Sequence, residues 1–144
     1  TEAENKEIVR RLNEKVWQEG KVELIDELYT EDYHEHNAAL PEDIHGRAGN
    51  REKLAMFHSA FSDITVTTED LIAEGDKVVV RDRFTGIHDG AFMDAEPTGN
   101  RIEVPGMVIY RIEDGKAAEA WVQADMMGMM QQLGLAPDPG GDEE

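Results

Sequence analysis

The feature that most constrains the fold is a change of hydrophobic period near residue 63. Before this point, apolar residues recur every three or four positions, which is typical of amphipathic helices. After it, apolar and polar residues alternate, which is typical of strands. Two short turns, at residues 74–76 and 114–115, combine glycine with acidic residues and indicate hairpins. Helices followed by an antiparallel meander predict an α+β fold.

The hydrophobic period predicts three helices, a short extended segment, four long strands and a last short helix. The predicted helices span residues 5–18, 22–29, 50–61 and 126–133, and the extended segment spans 30–37. The predicted strands span residues 64–73, 77–88, 101–113 and 116–125. Three N-terminal helices can cover only one face of a strongly curved sheet, so a pocket between helices and sheet is expected.

The charge of the chain excludes some partners. Among 144 residues, 32 are acidic and 14 are Lys or Arg, which gives a net charge of −18. Such a field repels nucleic acid and anionic membranes, so neither is predicted as a partner. A surface this acidic resembles that of halophilic proteins, in which dense salt screens the repulsion between like charges.

Composition also limits the cellular compartment and the number of domains that can be expected. The chain contains no cysteine, which excludes disulfides and cysteine-ligated zinc. No apolar run reaches the roughly 20 residues of a membrane span, and the first residues lack a secretory signal pattern, so a cytoplasmic protein is predicted. Residues 1–135 are predicted to form one domain, and residues 136–144 a flexible acidic tail rich in Pro and Gly.

The junction between the last strand and the last helix carries an acid, Asp125. In a regular strand, Trp121, Gln123 and Asp125 share one face. Methionines at 126, 127, 129 and 130 follow Asp125, and desolvation beside them would raise the pKa of its carboxyl group and suit it to proton transfer. Asp125 is equally placed to cap the N-terminus of the helix, and the two roles are compatible.

Histidines give a second set of candidates. His34 and His36 share a strand face, and with His45, His58 or His88 they could approach a metal site. No third ligand is fixed by spacing, so no metal is predicted. The other interpretation places one of the pair in solvent and the other in the pocket.

Arg81 and the methionines leave further alternatives open. Arg81 lies in the middle of a strand and would need a carboxylate partner if buried, for which Asp125 is a candidate. A solvated ladder of charges across strands is the alternative. The methionines, including Met107, either line an adaptable cavity or fill the core.

Several segments together resemble the SnoaL-like polyketide cyclase and ester cyclase family. The segments that carry the resemblance are residues 60–66, 71–81, 86–92, 97–106, 111–116, 121–125 and 131–134. They cover roughly residues 5–135 in the family's order and spacing. The resemblance implies the cone-shaped α+β fold of the nuclear-transport-factor-2-like superfamily, with helices on the concave face of the sheet, and a homodimer.

The resemblance also implies a site. Asp125 matches the family's acid/base aspartate, which closes a ring by an intramolecular aldol step without metal or cofactor. His36 matches a histidine that lines the cavity in family members, and Trp121 and Gln123 would flank the acid. Arg81, His88 and Met107 are further pocket candidates. Asp82 departs from the family, because many relatives have a large apolar residue, usually Trp, at that position.

Three functions therefore stand as expectations. The first is a cofactor-free cyclase or isomerase acting on a small, apolar, carbonyl-bearing molecule. The second is a non-catalytic ligand-binding or dimerisation module of the same fold. The third is an epoxide-hydrolase-like enzyme, which would need an Asp-Arg-Asp arrangement that Arg81 and Asp125 supply only in part. The fold alone does not choose among them.

Overall fold

A curved, unclosed sheet of six strands carries the fold, and the helices pack on one of its faces, here called the inner face. The computed structural model describes residues 1–93 and 95–136. The strands are β1 (Tyr29–Asn37), β2 (Ile44–His45), β3 (Phe61–Glu74), β4 (Lys77–His88), β5 (Arg101–Glu113) and β6 (Lys116–Ala124). The helices are α1 (Glu2–Arg11), α2 (Ile25–Leu28), α3 (Gly46–Ala60) and α4 (Met126–Gln132). The predicted tail, apart from Ala136, lies outside the described residues.

Strand order in the sheet is β2-β1-β6-β5-β4-β3. The meander from β3 to β6 is antiparallel, as predicted, but β1 and β6 run parallel, with His36 opposite Trp121. The β1–β6 pair thus departs from the antiparallel pairing of the meander. After β1, the chain passes through β2 and α3 to β3, at the far edge of the sheet. The meander then leads back across the sheet to β6, which lies beside β1 and runs in the same direction.

Two apolar clusters hold the helices on the inner face. The first packs residues of α1 and α2, such as Val9 and Leu28, against Val78, Val80 and Tyr110 of the sheet. The second joins Phe61, Phe92, Ile102 and Met129 under the long loop between β4 and β5. Because the clusters occupy opposite ends of the sheet, the space between them is left for a cavity.

The N-terminal helix changes its winding before it ends. From Leu12 to Gln18 it continues as a π-helix, and Gly20, with φ of +70°, ends the segment as predicted. In the part of the chain that the structure describes, no helix is both long enough and apolar enough to cross a membrane.

The start of α3 corrects one prediction. The helix begins at Gly46 rather than at Asn50, so Asn50 is a fully buried residue in the interior of the helix. Gly46 has φ of +72°, which lets the chain turn sharply out of β2 into the helix. The guanidinium group of Arg47 donates to the backbone oxygen of Tyr29 at 2.8 and 3.0 Å and fixes the first turn.

Candidate functional site

A cavity lies between the helices and the inner face of the sheet. Its volume is about 130 Å³, slightly below the ~150 Å³ of an apolar cavity that binds benzene, so its size is on the order of a single ring. Five aromatic side chains line it, and Trp17 meets Phe57 and Phe84 edge-on with centroids 5.3 and 6.2 Å apart. Phe92 contacts Phe57 at 5.3 Å, and Tyr110 is the fifth. The wall is therefore largely apolar.

Asp82 brings a carboxyl group into this cavity from the middle of β4. Its register partner on β5 is Gly106, which also lines the cavity. Burial raises the pKa of Asp82 from 3.8 to about 6, and a hydrogen bond from Asn13 opposes part of the rise. Asp82 is therefore a group that exchanges protons near neutral pH.

Asn13 holds Asp82 from the π-helical segment. Its Nδ2 donates to Asp82 Oδ2 at 3.2 Å and lies 3.3 Å from Thr68 Oγ1, and the side chain is 3% exposed. π-Helical turns are rare and occur frequently at functional sites. Here the altered winding coincides with the residue that orients the buried acid.

A buried ion pair lies on the other side of the cavity. Lys53 Nζ of α3 lies 2.5 Å from Glu35 Oε1 of β1, and the side chains are 5% and 2% exposed. Tyr33 donates to the same carboxylate at 2.7 Å and Asn37 at 3.2 Å. Burial raises the pKa of Glu35, but the charge of Lys53 and these hydrogen bonds outweigh it and leave the pKa lowered.

Lys53 also lies above an aromatic wall. Its ammonium group is 5.1 Å from the centre of the Trp17 ring, a cation–π distance. Both Lys53 and Asp82 line the cavity. A bound molecule would therefore meet one cation and one acid with a raised pKa in mostly apolar surroundings, where charges act more strongly than in water.

Asp125 occupies a different position. It is exposed, and its Oδ1 accepts a hydrogen bond from the backbone N–H of Gly128 at 2.9 Å, which caps α4. The expected burial among methionines is wrong, because β6 ends at Ala124 and only Met129 of the cluster is buried. The capping role is confirmed. The assignment of Asp125 to proton transfer stays a prediction.

His36 and Trp121 lie on the face of the sheet away from the helices, here called the outer face. Their rings stack at 5.4 Å, and His36 Nε2 lies 2.7 Å from Glu119. Neither residue lines the cavity, so both pocket assignments are wrong. Side chains alternate along a strand, and the inner face of β1 is taken by Tyr33 and Glu35, which are both buried.

Arg81, Met107 and Gln123 form one row by register across β4, β5 and β6. Arg81 is exposed and pairs with Asp70 at 2.7 Å and Glu69 at 2.9 Å, so it forms the solvated charge ladder and not a pair with Asp125. Met107 and Gln123 border the cavity, but both are exposed. They belong to its rim.

His88 is buried at the end of β4 and does not line the cavity, which corrects its pocket assignment. Its Nδ1 lies 3.0 Å from Thr98 Oγ1 and accepts from the Thr98 backbone N–H at 3.2 Å. Its ring packs on Phe61 at 5.5 Å. His88 therefore fixes the loop that follows β4.

Four polar cavity residues were not predicted from the sequence, namely Asn13, Glu35, Lys53 and Asp82. Asp82 was missed because its neighbour Arg81 was expected in the pocket. Lys53 lies on the same helical stripe as Leu54 and Phe57, which is the signal that it faces inward. Glu35 and His36 are consecutive residues of β1 and face opposite sides of the sheet. The prediction that His36 lines the pocket therefore placed Glu35 outside it. Asn13 lies next to Leu12, and nothing in its local sequence marks it.

The family of the chain follows from its similarity to known proteins. Residues 7–133 match the SnoaL-like polyketide cyclase family. The chain belongs to this family. No protein of curated function matches it.

Solved structures agree with this family assignment. A protein of Jannaschia sp. CCS1 named for the SnoaL-like polyketide cyclases is 28% identical, with a TM-score of 0.85 over 95% of this chain and 95% of that one. TsrD from Streptomyces laurentii is 29% identical, with a TM-score of 0.83 over 94% of this chain and 98% of that one.

A more distant structure confirms the fold alone. A Catenulispora acidiphila protein with a ketosteroid isomerase-like fold is 18% identical, with a TM-score of 0.75 over 91% of this chain and 94% of that one. The predicted nuclear-transport-factor-2-like α+β fold, which includes that isomerase fold, is therefore confirmed for this SnoaL-like chain.

Proposed function

We propose that this SnoaL-like chain is a cofactor-free acid/base catalyst, a cyclase or isomerase, acting on a small apolar molecule that bears a carbonyl group. The observation that carries the proposal is Asp82, an acid inside the cavity with a pKa of about 6. A general base works best when its pKa is near the working pH. The family and the names of its polyketide cyclase neighbours agree with this chemistry.

The cavity supplies two groups for such a reaction. The Asp82 carboxylate takes a proton from the carbon next to a substrate carbonyl, and the electron pair of that C–H bond forms an enolate. The ammonium of Lys53 stabilises the oxygen on which charge develops. In a ring closure, the enolate carbon attacks a second carbonyl of the same molecule, and protonated Asp82 returns its proton to the new alkoxide.

The lining defines the substrate class. The five aromatic side chains favour a flat or ring-forming apolar skeleton, and the charged groups fix the orientation of its carbonyl oxygen. A longer substrate would extend past the rim residues Met107 and Gln123 into solvent. The cavity then holds only the reacting part.

The test follows proton abstraction directly. The ketone 1-tetralone is incubated with the protein in D₂O, and exchange of its α-protons is followed by NMR after saturable binding has been shown. Asp82→Asn is expected to lower the exchange rate of the bound ketone by about 100-fold or more, and the rate of the unaltered protein should fall as pH drops below about 6. Asp125→Asn is the matched variant, since it removes an acid of the same type outside the cavity.

Each outcome separates the candidates. Loss of exchange in Asp125→Asn with full exchange in Asp82→Asn would contradict the role of Asp82 and support the family's aspartate. Exchange no faster than in buffer, despite binding, would favour the non-catalytic ligand-binding module. The exposed, helix-capping position of Asp125 is the observation that favours this second candidate.

The epoxide-hydrolase-like function has no such support. Its Asp-Arg-Asp arrangement needs Arg81 beside Asp125. In the described residues, Arg81 turns instead to Asp70 and Glu69 on the outer face. Asp82 points the other way, into the cavity, as the alternation of the strand predicts.

We also propose that the chain forms a homodimer through its outer face. Ile72, Val79, Ile109 and Trp121 are register partners in adjacent strands and form an apolar row across the sheet. Ile72 is 62% exposed and Ile109 37%. Apolar surface that continues across four strands favours a second copy of the same face.

The stability of the dimer is expected to depend on salt concentration. Light scattering at about 2 M KCl should give twice the chain mass, and Ile109→Lys should give the monomer, because a lysine charge would be buried without a partner. Ala55→Lys, which adds the same charge at an exposed position of α3 away from the outer face, is the control. At low salt the dimer should weaken, since each copy carries a charge of −18. A monomeric mass in high salt would contradict the proposal.

A further inference from the structure

A cluster of histidines and carboxylates occupies the outer face at the β1–β2 edge of the sheet. His34 and His36 project from β1, and Asp43 precedes β2. Among the described residues, one ligand atom from each of these three side chains lies within 4.8 Å of the other two. None of the three lines the cavity, so the cluster is separate from the acid/base site.

We propose that His34, His36 and Asp43 bind a divalent metal ion of the zinc type. Two imidazoles and a carboxylate are donors that Zn²⁺ accepts readily, and a fourth position stays open for water. In a tetrahedral site with bonds of about 2.05 Å, ligand atoms lie about 3.4 Å apart. His36 Nδ1 and Asp43 Oδ2 are 3.4 Å apart.

A second distance shows what the metal replaces. His34 Nε2 lies 2.8 Å from Asp43 Oδ2, the length of a hydrogen bond. A metal would take the place of the shared proton, and the two atoms would separate by about 0.6 Å to reach the tetrahedral spacing. Asp43 lies in an exposed loop, so this adjustment does not disturb the sheet.

The surroundings orient the ligands. Glu119 Oε2 lies 2.7 Å from His36 Nε2, and Arg111 holds the other oxygen of Glu119 at 3.2 Å. A carboxylate on the second nitrogen of a metal-binding histidine fixes the ring and strengthens it as a ligand. The ring of His45 stacks on His34 at 4.6 Å and holds that ring as well.

The site would join two parts of the chain that border the cavity. Asp43 ends the loop of residues 38–43, and two residues of that loop, Ala39 and Leu40, line the cavity. A metal between Asp43 and β1 would hold this loop against the sheet. The proposed chemistry does not use the metal, so the two proposals are independent.

The test measures Zn²⁺ binding to the full chain freed of metal by chelation. Isothermal titration calorimetry with zinc chloride is expected to show one saturable site per chain. Asp43→Asn should weaken it at least tenfold. Glu42→Gln removes the same charge from the neighbouring exposed position and should change the affinity less than threefold, which separates ligation from attraction by net charge.

A second pair of variants tests the geometry. Glu119→Gln keeps the three ligands but removes the carboxylate on His36, and it should weaken binding by about 10-fold. His36→Gln should weaken it further, with circular dichroism showing that the chain stays folded. The proposal is overturned if the unaltered chain shows no saturable zinc binding. It is equally overturned if Asp43→Asn and Glu42→Gln bind zinc alike.

Discussion

Replacing Lys53 with methionine is expected to lower the free energy of unfolding by about 3 to 5 kcal/mol at neutral pH. Lys53 and Glu35 are both buried and lie 2.5 Å apart. Methionine has a similar length but no charge, so the carboxylate of Glu35 would stay buried without its cation. The pKa of Glu35, now lowered mainly by Lys53 against the effect of burial, should then rise.

The controls distinguish the cost of leaving Glu35 buried without its cation from the cost of removing a lysine. Lys77→Met at the exposed start of β4 should change the free energy of unfolding by less than about 0.5 kcal/mol. The double variant Lys53→Met/Glu35→Gln should recover much of the loss, because no charge remains buried. Urea denaturation at pH 7.5 measures all three. A loss below about 1 kcal/mol in Lys53→Met, or no recovery in the double variant, would contradict the buried pair.

The strands and turns were predicted well because their signals are local. The bounds predicted for residues 77–88 and 101–113 are those of β4 and β5. Alternation and the glycine turns at 75 and 115, both with positive φ, act within a few residues. The start of α3 was missed because Gly46 and Gly49 indicate a loop, whereas contacts of Arg47 with a distant strand stabilise a helix there.

The site was predicted only in part because strand faces are set by distant neighbours. Trp121 is the largest apolar residue of its strand and was placed inside, yet Ala120, which belongs to the buried core, and Val122, which lines the cavity, take the inner face and leave Trp121 outside. Alternation puts Arg81 and Asp82 on opposite faces, but Arg81 was expected in the pocket, whereas Asp82 lines it. The raised pKa of Asp82 was not predictable, since Asn13 and the aromatic walls come from other segments.

Asp82→Asn is expected to stabilise the protein, and to do so in a pH-dependent way. The pKa of Asp82 is 3.8 in an exposed chain and about 6 in the fold. Because the folded protein holds this proton more tightly, Asp82 contributes most to stability below pH 4, and that contribution is lost as pH rises through about 6. Asparagine stays neutral and still accepts from Asn13. The variant should therefore gain about 2 to 3 kcal/mol at pH 8 and less than about 1 kcal/mol at pH 4.

Asp125→Asn provides the comparison, because asparagine caps a helix as well as aspartate does and the site is exposed. Its free energy of unfolding should stay within about 0.5 kcal/mol of the unaltered protein at both pH values in urea denaturation. A protein that keeps a destabilising acid inside an apolar cavity retains it for a reason other than folding. If Asp82→Asn proved less stable at pH 8, Asp82 would be a structural residue. If Asp82→Asn were more stable and no longer exchanged the α-protons of the ketone, Asp82 would be the residue that carries out proton transfer in the cavity.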